Sequence, residues 1–208
     1  MKNDRFRPVA ILASVLLATL LWFGTFYLTW SIFWIKISFS AAALALLSFL
    51  LRPLPKEKLV FDAKAFIIGL ISAAILYFIF WCAKSISSIL FSFAGQQIGG
   101  IYAKGAGTRM WIIALLLFFV TGPCEELYWR GYLQDNLMKR FGSWQGWMLA
   151  TTIYAGVHIW SLNFMLIGAA AVAGAFWGAM YWRLKNLAPV IISHSIWSMV
   201  IFAVFPIT

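Results

Sequence analysis

Acidic side chains and histidines are scarce in this sequence, and so is charge in general. The 208 residues include 6 Asp and Glu against 16 Lys and Arg, with 2 His and 2 Cys, and charged residues make up 11% of the total. Hydrophobic residues make up 63%, which is more apolar surface than the core of a soluble protein needs. The cysteines, Cys82 and Cys124, fall in separate apolar segments, where thiols commonly pack as small hydrophobic groups, so we expect no structural disulfide.

The few groups able to do acid–base chemistry lie within apolar segments. Glu125 and Glu126 are adjacent, Arg130 follows four residues later, and His158 and His194 are also surrounded by apolar residues. An ionisable side chain inside a bilayer is costly and by default marks a functional site. This distribution predicts an intramembrane enzyme.

Seven apolar segments are long enough to cross a bilayer, which takes about 20 residues each. The sequence therefore predicts an all-α fold, a polytopic membrane bundle of about seven transmembrane helices. The first segment is too long for a removed signal peptide and lacks its small-residue cleavage site, so we expect it to remain as a helix. The predicted spans are Pro8 to Trp30, Ser31 to Leu51, Ala65 to Ala83, Met110 to Met138, Ser143 to Leu162, Asn163 to Trp182 and Leu187 to Pro206.

Basic residues cluster at alternate ends of these spans. The positive-inside rule then predicts a multi-pass protein of the cell membrane with a cytoplasmic N-terminus and an extracellular C-terminus. The net charge of +10 follows from this bias and from contact with anionic membrane lipid, so no nucleic-acid partner is expected. Lys84, Lys104 and Arg109 lie on the opposite side. The predicted cytoplasmic sets are Lys2, Arg5 and Arg7; Arg52, Lys56, Lys58 and Lys64; Lys139 and Arg140; and Arg183 and Lys185.

Several polar and aromatic residues are expected near the membrane surfaces. Lys36, near the outer end of its span, can extend its ammonium to the interface, and Asp135 is expected near a helix end where water is available. The segment from Lys84 to Thr108 is the one long connection: Ser85 to Phe93 could lie in the interface as a helix, and five glycines make the rest a flexible loop or a lid. An interfacial belt is predicted for Trp22, Trp30, Trp34, Trp147, Trp160 and Trp182.

The two glutamates are predicted to have different surroundings. Glu126 and Arg130 are spaced i, i+4, which favours an ion pair on one helix face, and Glu125 is displaced by about 100° around the helix, free to face a cavity. Gly122-Pro123 is expected to interrupt the fourth span, so that the glutamates open a new helical segment whose free N–H groups stabilise carboxylates.

Depths counted along the predicted spans agree for two of the three positions. His158 lies about 22 Å and Glu125 about 21 Å from the predicted cytoplasmic surface, at the helical rise per residue. His194 lies only about 10 Å deep by the same count, which is a mismatch for a shared site.

Elimination narrows the chemistry to water activated by glutamate with histidine. The HExxH zinc-protease pattern is absent, no aspartate lies at a span centre, and no serine nucleophile-elbow pattern occurs. Cys124 has no evident paired base. A structural reading stays open, because a membrane histidine can simply hydrogen-bond across helices and a Glu–Arg pair can fix helix packing.

Three short motifs in this order resemble those of a known protease family. Glu125-Glu126-Leu-Tyr-Trp-Arg130 resembles an EExxxR motif, Tyr154-Ala-Gly-Val-His158 an aromatic-xxx-His motif, and His194 a third motif, all within roughly Met110 to Ala203. The chain is therefore similar to the CAAX protease and bacteriocin-processing family (CPBP, or Abi), all-helical membrane proteases related to type II CAAX prenyl endopeptidases.

The resemblance implies roles for these residues. Glu125 would be the general base, His158 its partner, Glu126 and Arg130 a supporting pair, and His194 a contributor to oxyanion stabilisation. The third motif usually has Asn or Asp four residues after the histidine, where this chain has Ser198. A serine hydroxyl can donate to an oxyanion but reaches less far than an amide, so we expect activity to be weakened, altered in specificity or lost.

The family also raises the question of zinc. Carboxylate and imidazole are acceptable zinc ligands, with water in the open position, and the ligands would be Glu125, His158 and His194. A metal-free glutamate mechanism uses the same groups, and the sequence leaves both open.

Together these features predict an intramembrane endopeptidase that cleaves a membrane-associated or lipidated peptide or protein, within the bilayer or at its cytoplasmic edge. Residues 1–109 would supply N-terminal helices and the long loop, and residues 110–208 the CPBP-like catalytic core of one integral membrane domain. The alternatives are a non-catalytic scaffold or bacteriocin-immunity protein, which Ser198 favours, and a proton-coupled transporter, for which Glu and His would form a relay. The sequence shows no inverted repeat of the kind that transporters carry.

Overall fold

The computed structural model describes residues 8–207 and contains eight α-helices in this part of the chain. The basic cluster Lys2, Arg5 and Arg7 lies outside the described residues. Short 3-10 turns cover Lys56–Lys58, Ala103–Gly105 and His158–Ser161. The helices are α1 (Pro8–Phe26), α2 (Phe33–Leu51), α3 (Ala63–Leu90), α4 (Ala94–Tyr102), α5 (Met110–Phe141), α6 (Ser143–Val157), α7 (Phe164–Leu184) and α8 (Ala188–Val204).

The predicted all-helical membrane bundle is confirmed. Five helices are long and apolar enough to cross a membrane, namely α1, α2, α3, α5 and α7. The remaining two predicted spans are shorter helices: α8 is apolar with 17 residues, and α6 has 15 residues before the 3-10 turn at His158–Ser161. Seven helices therefore follow the seven predicted segments in order, but only five have full spanning length.

The outward faces of these helices are apolar. Leu12, Phe39, Phe66 and Phe119 are each more than half exposed, although they lie within long helices. Exposed apolar surface of this extent is unfavourable in water and is solvated by lipid tails. The chain is accordingly a multi-pass membrane protein.

The connection after α3 differs from the prediction. Helix α3 continues to Leu90, so Ser85 to Leu90 belong to a long span and do not form a separate interfacial helix. The glycine-rich part is not a flexible loop, because it contains α4, which hydrogen bonds hold against the start of α7. Asn163 Nδ2 donates to the Gln97 carbonyl at 2.8 Å, and Met165 N donates to Gln97 Oε1 at 3.0 Å.

Two tryptophans predicted in the interfacial belt are buried instead. Trp22 is 0% and Trp34 is 4% exposed, because α1 and α2 turn these indoles towards the other helices. Lys36 is 5% exposed, and its ammonium reaches the α1–α2 turn at the end of its span, where it donates to the Leu28 carbonyl.

Helices α3 and α8 pack closely through a glycine. A Cβ atom at Gly69 would lie 2.5 Å from Cγ2 of Ile192, closer than real Cβ contacts allow. The missing side chain therefore permits the backbones to approach, which is how small residues promote helix association in membranes. This contact fixes α8, the helix that carries His194.

Asp135, near the end of α5, is the centre of a buried network at the basic end of the bundle. It is 4% exposed and not in water as predicted. Arg52 Nη2 lies 2.6 Å from its Oδ2, Lys58 Nζ contacts Oδ1, the Tyr181 hydroxyl donates to Oδ1 at 3.0 Å, and Lys139 Nζ lies 3.7 Å away. The carboxylate thus joins the α2–α3 connection to α5 and α7.

We expect Asp135→Asn to destabilise the protein, because it leaves several cations around an uncharged amide. Arg52 and Lys58 are about one-fifth exposed and retain some solvent, so the expected loss is about 2 kcal/mol, below the value for a fully buried pair. Unfolding in mixed detergent micelles, followed by tryptophan fluorescence, measures it. Glu57→Gln, at an exposed acid in the same connection, is the control, and equal stability of the two variants would contradict the assignment.

The alternation of basic residues predicts the orientation of the bundle. In single-cysteine variants of a chain lacking Cys82 and Cys124, a cysteine at Glu57 should be protected from a membrane-impermeant thiol reagent in intact cells. A cysteine at the exposed Ala106, at the opposite end, should react. The reverse labelling pattern would overturn the predicted orientation.

Candidate active site

Helix α5 carries both glutamates and runs without a break through Gly122-Pro123. The expected interruption is wrong: Met110–Phe141 is one helix of 32 residues. A π-helical stretch, Leu117–Thr121, precedes the proline, and Gly122 N donates to the Leu117 carbonyl five residues back. The wider turn accommodates the missing N–H and the ring of Pro123 that would break a regular α-helix. Side chains, and not a free helix N-terminus, must therefore hold the carboxylates.

Glu126 forms a buried ion cluster with Arg130 and His194. Its Oε1 accepts from Arg130 Nη1 at 2.8 Å and from His194 Nδ1 at 2.6 Å, and the carboxylate is 0% exposed. The spacing predicted the first of these contacts, and the second links α5 to α8. Arg130 is further held by the faces of two aromatic rings, with its guanidinium carbon 4.7 Å from the Tyr154 ring centre and 5.5 Å from that of Trp177.

The depth mismatch of His194 arises from where α8 begins. Leu187 N donates to the Lys58 carbonyl at 2.8 Å, and the Lys58 side chain contacts Asp135. The start of α8 therefore lies at the level of Asp135, about one to two turns further into the bundle than the end of α5 at Phe141. From Asp135 to Glu126 is about 13 Å, and from Leu187 to His194 about 10 Å, at the helical rise. The sequence count measured the depth of Glu125 from Lys139, beyond Asp135, so the depths of Glu125 and His194 were measured from two different levels.

Glu125 faces a cavity of about 380 Å³. The Tyr154 hydroxyl donates to its Oε2 at 3.0 Å, while Glu126 and Arg130 lie behind the cavity wall. Besides Glu125, the cavity is lined by His158, His194 and Ser198, and by a predominantly apolar surface of residues such as Trp34 and Phe202. One glutamate is thus engaged by an arginine and the other is directed into a cavity.

His158 is held in a defined tautomer by two partners. Its Nδ1 lies 2.7 Å from the Tyr154 carbonyl, which can only accept, so Nδ1 carries a hydrogen. Trp22 Nε1 donates to His158 Nε2 at 3.3 Å, so Nε2 presents its lone pair. Tyr154 therefore contacts both Glu125 and His158, which do not hydrogen-bond to each other in the structure.

The structure brings all of the predicted site residues into one region. Glu125, His158, His194 and Ser198 line the same cavity, and Glu126 and Arg130 support it from behind. Ser198 follows His194 by one helical turn and is 3% exposed.

Sequence reasoning missed three residues of the site. Tyr154 was signalled by the aromatic position of its motif, but its contact with Glu125 was not predicted. Trp177 stacks on the His194 ring at 3.8 Å between ring centres, and nothing in the sequence marks it among 12 tryptophans. Trp22 had the features of an interfacial residue, and its partner His158 is 136 positions away.

The cavity extends towards the end of the bundle opposite the basic network. Phe26, Lys84, Lys104 and Phe164 line it there. Among residues 8–207, none of the side chains around Asp135 contributes to its wall. A molecule in this cavity would therefore reach Glu125 from the end that carries α4.

Glu125, His158 and His194, the zinc ligands considered from the sequence, are not arranged as a zinc site in the structure. Within the described part of the chain, no group of three or more His, Cys, Asp or Glu side chains is placed to hold a metal ion. Nε2 of His158, the nitrogen that a metal would bind, already accepts from Trp22 Nε1. The Nδ1 contacts of the two histidines, to a backbone carbonyl and to the Glu126 carboxylate, are compatible with metal binding. A zinc-binding arrangement would require Trp22 to release His158 Nε2 and the three side chains to come together.

The fold is that of a multi-pass membrane protein, with a cluster of ionisable side chains and a cavity inside its helical bundle. Residues 107–200, somewhat under half of the chain, match the family model of type II CAAX prenyl endopeptidase Rce1-like proteins. This match supports the resemblance to the CAAX protease family that the three motifs predicted. No curated protein and no solved structure matches the chain.

The two glutamates should differ in their effect on stability. Glu126→Gln removes the carboxylate that neutralises fully buried Arg130, and we expect a loss of about 3–5 kcal/mol of unfolding free energy. Glu125→Gln keeps an amide oxygen that can accept from the Tyr154 hydroxyl, so its stability should stay near that of the native chain. Denaturation in mixed micelles compares the two variants, and an equal loss in both would show that the ion cluster is misassigned.

Proposed function

We propose that the protein is an intramembrane endopeptidase in which Glu125 activates water for attack on a peptide bond. The observation that carries the proposal is the difference between adjacent carboxylates, since Glu126 is neutralised by Arg130 while Glu125 faces the cavity. A carboxylate without a cationic partner is available to accept a proton. Peptide and protein substrates are also what the family match supports.

Water activation is supported by the arrangement around Tyr154. The tyrosine hydroxyl occupies one lone pair of Glu125 and orients the carboxylate. A water in the cavity would donate one hydrogen to Glu125 and the other to the lone pair of His158 Nε2. Trp22 competes for that lone pair over 3.3 Å, a long contact that a water could share or displace.

In the proposed reaction, Glu125 first takes a proton from water and later returns it. The water oxygen forms a bond to the peptide carbonyl carbon as its proton passes to Glu125, giving a tetrahedral oxyanion. Glu125 returns the proton to the amide nitrogen, the C–N bond breaks, and an amine and a carboxylic acid leave. One group thus acts first as general base and then as general acid.

His194 and Ser198 are the proposed donors to the oxyanion. Glu126 accepts from His194 Nδ1 and so orients the ring, as a carboxylate orients a histidine in a catalytic triad. In the proposed reaction the ring donates to the oxyanion through an Nε2–H. Stacking on Trp177 fixes the plane of the ring. Ser198 offers a hydroxyl one turn further along α8, with a shorter reach than the Asn or Asp of the family motif.

The apolar wall favours a membrane-associated or lipidated peptide as substrate. Its approach is proposed from the α4 end of the bundle, which lies outside the cytoplasm in the proposed orientation. This revises the cytoplasmic edge inferred from sequence, because the cavity extends away from the basic end. Residues 107–200 would contribute the reacting groups, and α1 to α4 would complete the cavity wall.

The decisive variant is Glu125→Gln, because a neutral amide cannot take a proton from water. In liposomes containing a quenched fluorogenic peptide library, its rate should fall by at least about a hundredfold while its unfolding midpoint stays unchanged. Glu57→Gln, an exposed acid outside the site, should keep full turnover. Undiminished cleavage by Glu125→Gln would remove its catalytic role, and absence of cleavage by the native chain would favour the non-catalytic scaffold.

A further inference from the structure

Thr121 is a buried hydroxyl residue of the cavity wall that the proposed reaction does not use. It ends the π-helical stretch of α5, four residues before Glu125, and it is 4% exposed. Leu117, four residues earlier again, also lines the cavity. The three side chains therefore lie along one face of α5, with Thr121 one turn nearer the α4 end of the bundle than Glu125.

The hydroxyl of Thr121 has one partner, Ser38 of α2. Thr121 Oγ1 and Ser38 Oγ are 3.0 Å apart, and Ser38 is buried behind the cavity wall. A threonine hydroxyl in a helix often donates to a carbonyl of the preceding turn. Within residues 8–207, however, neither of these two hydroxyls makes a second hydrogen bond. Since each hydroxyl carries one hydrogen, the pair has two hydrogens and uses only one of them.

The location of the unused hydrogen depends on which hydroxyl donates. If Thr121 donated to Ser38, the hydrogen of Ser38 would be left between helices without an acceptor, which is unfavourable for a buried polar group. If Ser38 donates to Thr121, the unused hydrogen belongs to Thr121, which lines the cavity. A ligand with an acceptor can then satisfy it. Ser38 thus orients Thr121 as a hydrogen-bond donor towards the cavity.

A peptide in this cavity brings carbonyl groups that need donors. The wall is predominantly apolar, and it is unfavourable for a peptide group to leave water without a new hydrogen bond. In the proposed reaction, His194 and Ser198 donate to the oxyanion, and the Tyr154 hydroxyl donates to Glu125. These groups are therefore not assigned to a neighbouring peptide carbonyl. Thr121 supplies a donor for one.

The spacing along α5 limits which carbonyl Thr121 can bind. Four residues of helix separate Thr121 from Glu125, a distance of about 6 Å along the axis. An extended peptide covers that length in about two residues. The carbonyl therefore belongs to a residue within about two positions of the bond that Glu125 attacks.

We propose that Thr121 binds the substrate by donating a hydrogen bond to a backbone carbonyl next to the scissile bond, and that Ser38 is a positioning residue that acts through Thr121. The inference rests on the proposed peptidase function, since it names a further group that determines where the peptide lies relative to Glu125. Because every residue has a backbone carbonyl, this contact fixes the register of the peptide without selecting its side chains.

The test measures binding independently of cleavage, in the Glu125→Gln chain. Tritiated N-dodecanoyl pentapeptide amides of apolar sequence are titrated in phosphatidylcholine nanodiscs, in the all-amide form and with a single thioamide at each position in turn. Sulfur accepts hydrogen bonds more weakly than oxygen. A thioamide at the carbonyl that Thr121 binds should lower affinity about fivefold, as expected for one neutral hydrogen bond. Thr121→Val should weaken the all-amide peptide by a similar factor and make that one position insensitive to the thioamide.

Matched variants separate the hydroxyl from packing. Thr121→Ser keeps the hydroxyl and should retain the native affinity. Thr25→Val breaks a comparable buried pair, because Thr25 Oγ1 and Ser40 Oγ are 2.9 Å apart and neither residue lines the cavity. This variant should leave peptide binding unchanged. Ser38→Ala should reduce the thioamide effect at the same position, a readout that a merely structural role would not change.

Several outcomes would overturn the proposal. Native affinity in Thr121→Val would do so, as would the absence of peptide binding to the chain that retains Thr121. Equal weakening by Thr121→Val and Thr121→Ser, or by Thr121→Val and Thr25→Val, would show a packing effect and overturn it as well. Cleavage by the chain with Glu125 is scored separately. Turnover with an unchanged KM in Thr121→Val refutes only the role of Thr121, whereas Thr121-dependent binding without turnover refutes only the peptidase.

Discussion

Glu126 accepts hydrogen bonds from Arg130 and His194 inside the bundle, where water cannot replace a lost partner. This arrangement determines more than a local ion pair. It joins α5 to α8, and the guanidinium lies between the rings of Tyr154 and Trp177, which come from α6 and α7. Four helices are therefore oriented around one buried carboxylate. The buried charge of Glu126 is tolerated because Arg130 and His194 supply the hydrogen-bond donors, and Arg130 the opposite charge, that the bilayer lacks.

The same cluster leaves its neighbour without a cation. If Arg130 were shared between the two glutamates, neither carboxylate would be a good proton acceptor. The side-chain directions prevent this: Glu126 points to α8, while Glu125 points to the cavity and accepts from the Tyr154 hydroxyl. Tyr154 then couples the pair to His158 through its own carbonyl, which sets the histidine tautomer. In the proposed mechanism, the structural and the reactive glutamate are therefore adjacent residues of one helix.

Local spacing made part of this site predictable. The i, i+4 interval indicated the Glu126–Arg130 pair, and apolar length indicated the helices. Contacts between distant segments were beyond reach: Trp22 looked like an interfacial tryptophan because composition does not reveal which face of α1 packs inwards. The prediction of a helix break at Gly122-Pro123 failed for another reason. The rule that proline breaks a helix applies to regular α-helices, and the π-helical stretch before Pro123 accommodates its ring and missing N–H. The depth of His194 failed because α8 begins level with Asp135, and only the folded connection at Lys58 shows this.

The buried network around Asp135 bears on which part of this chain can fold by itself. Its partners Arg52 and Lys58 precede the segment that matches the family model, as does Trp22, the partner of His158. Excised at the family boundaries, the C-terminal part would retain every motif residue and Lys139, yet it would lose Arg52 and Lys58 beside one buried carboxylate and Trp22 beside His158. The segment that matches the family model is therefore shorter than the part of the chain that folds together. Transferring the motif residues alone to another protein would not transfer the site.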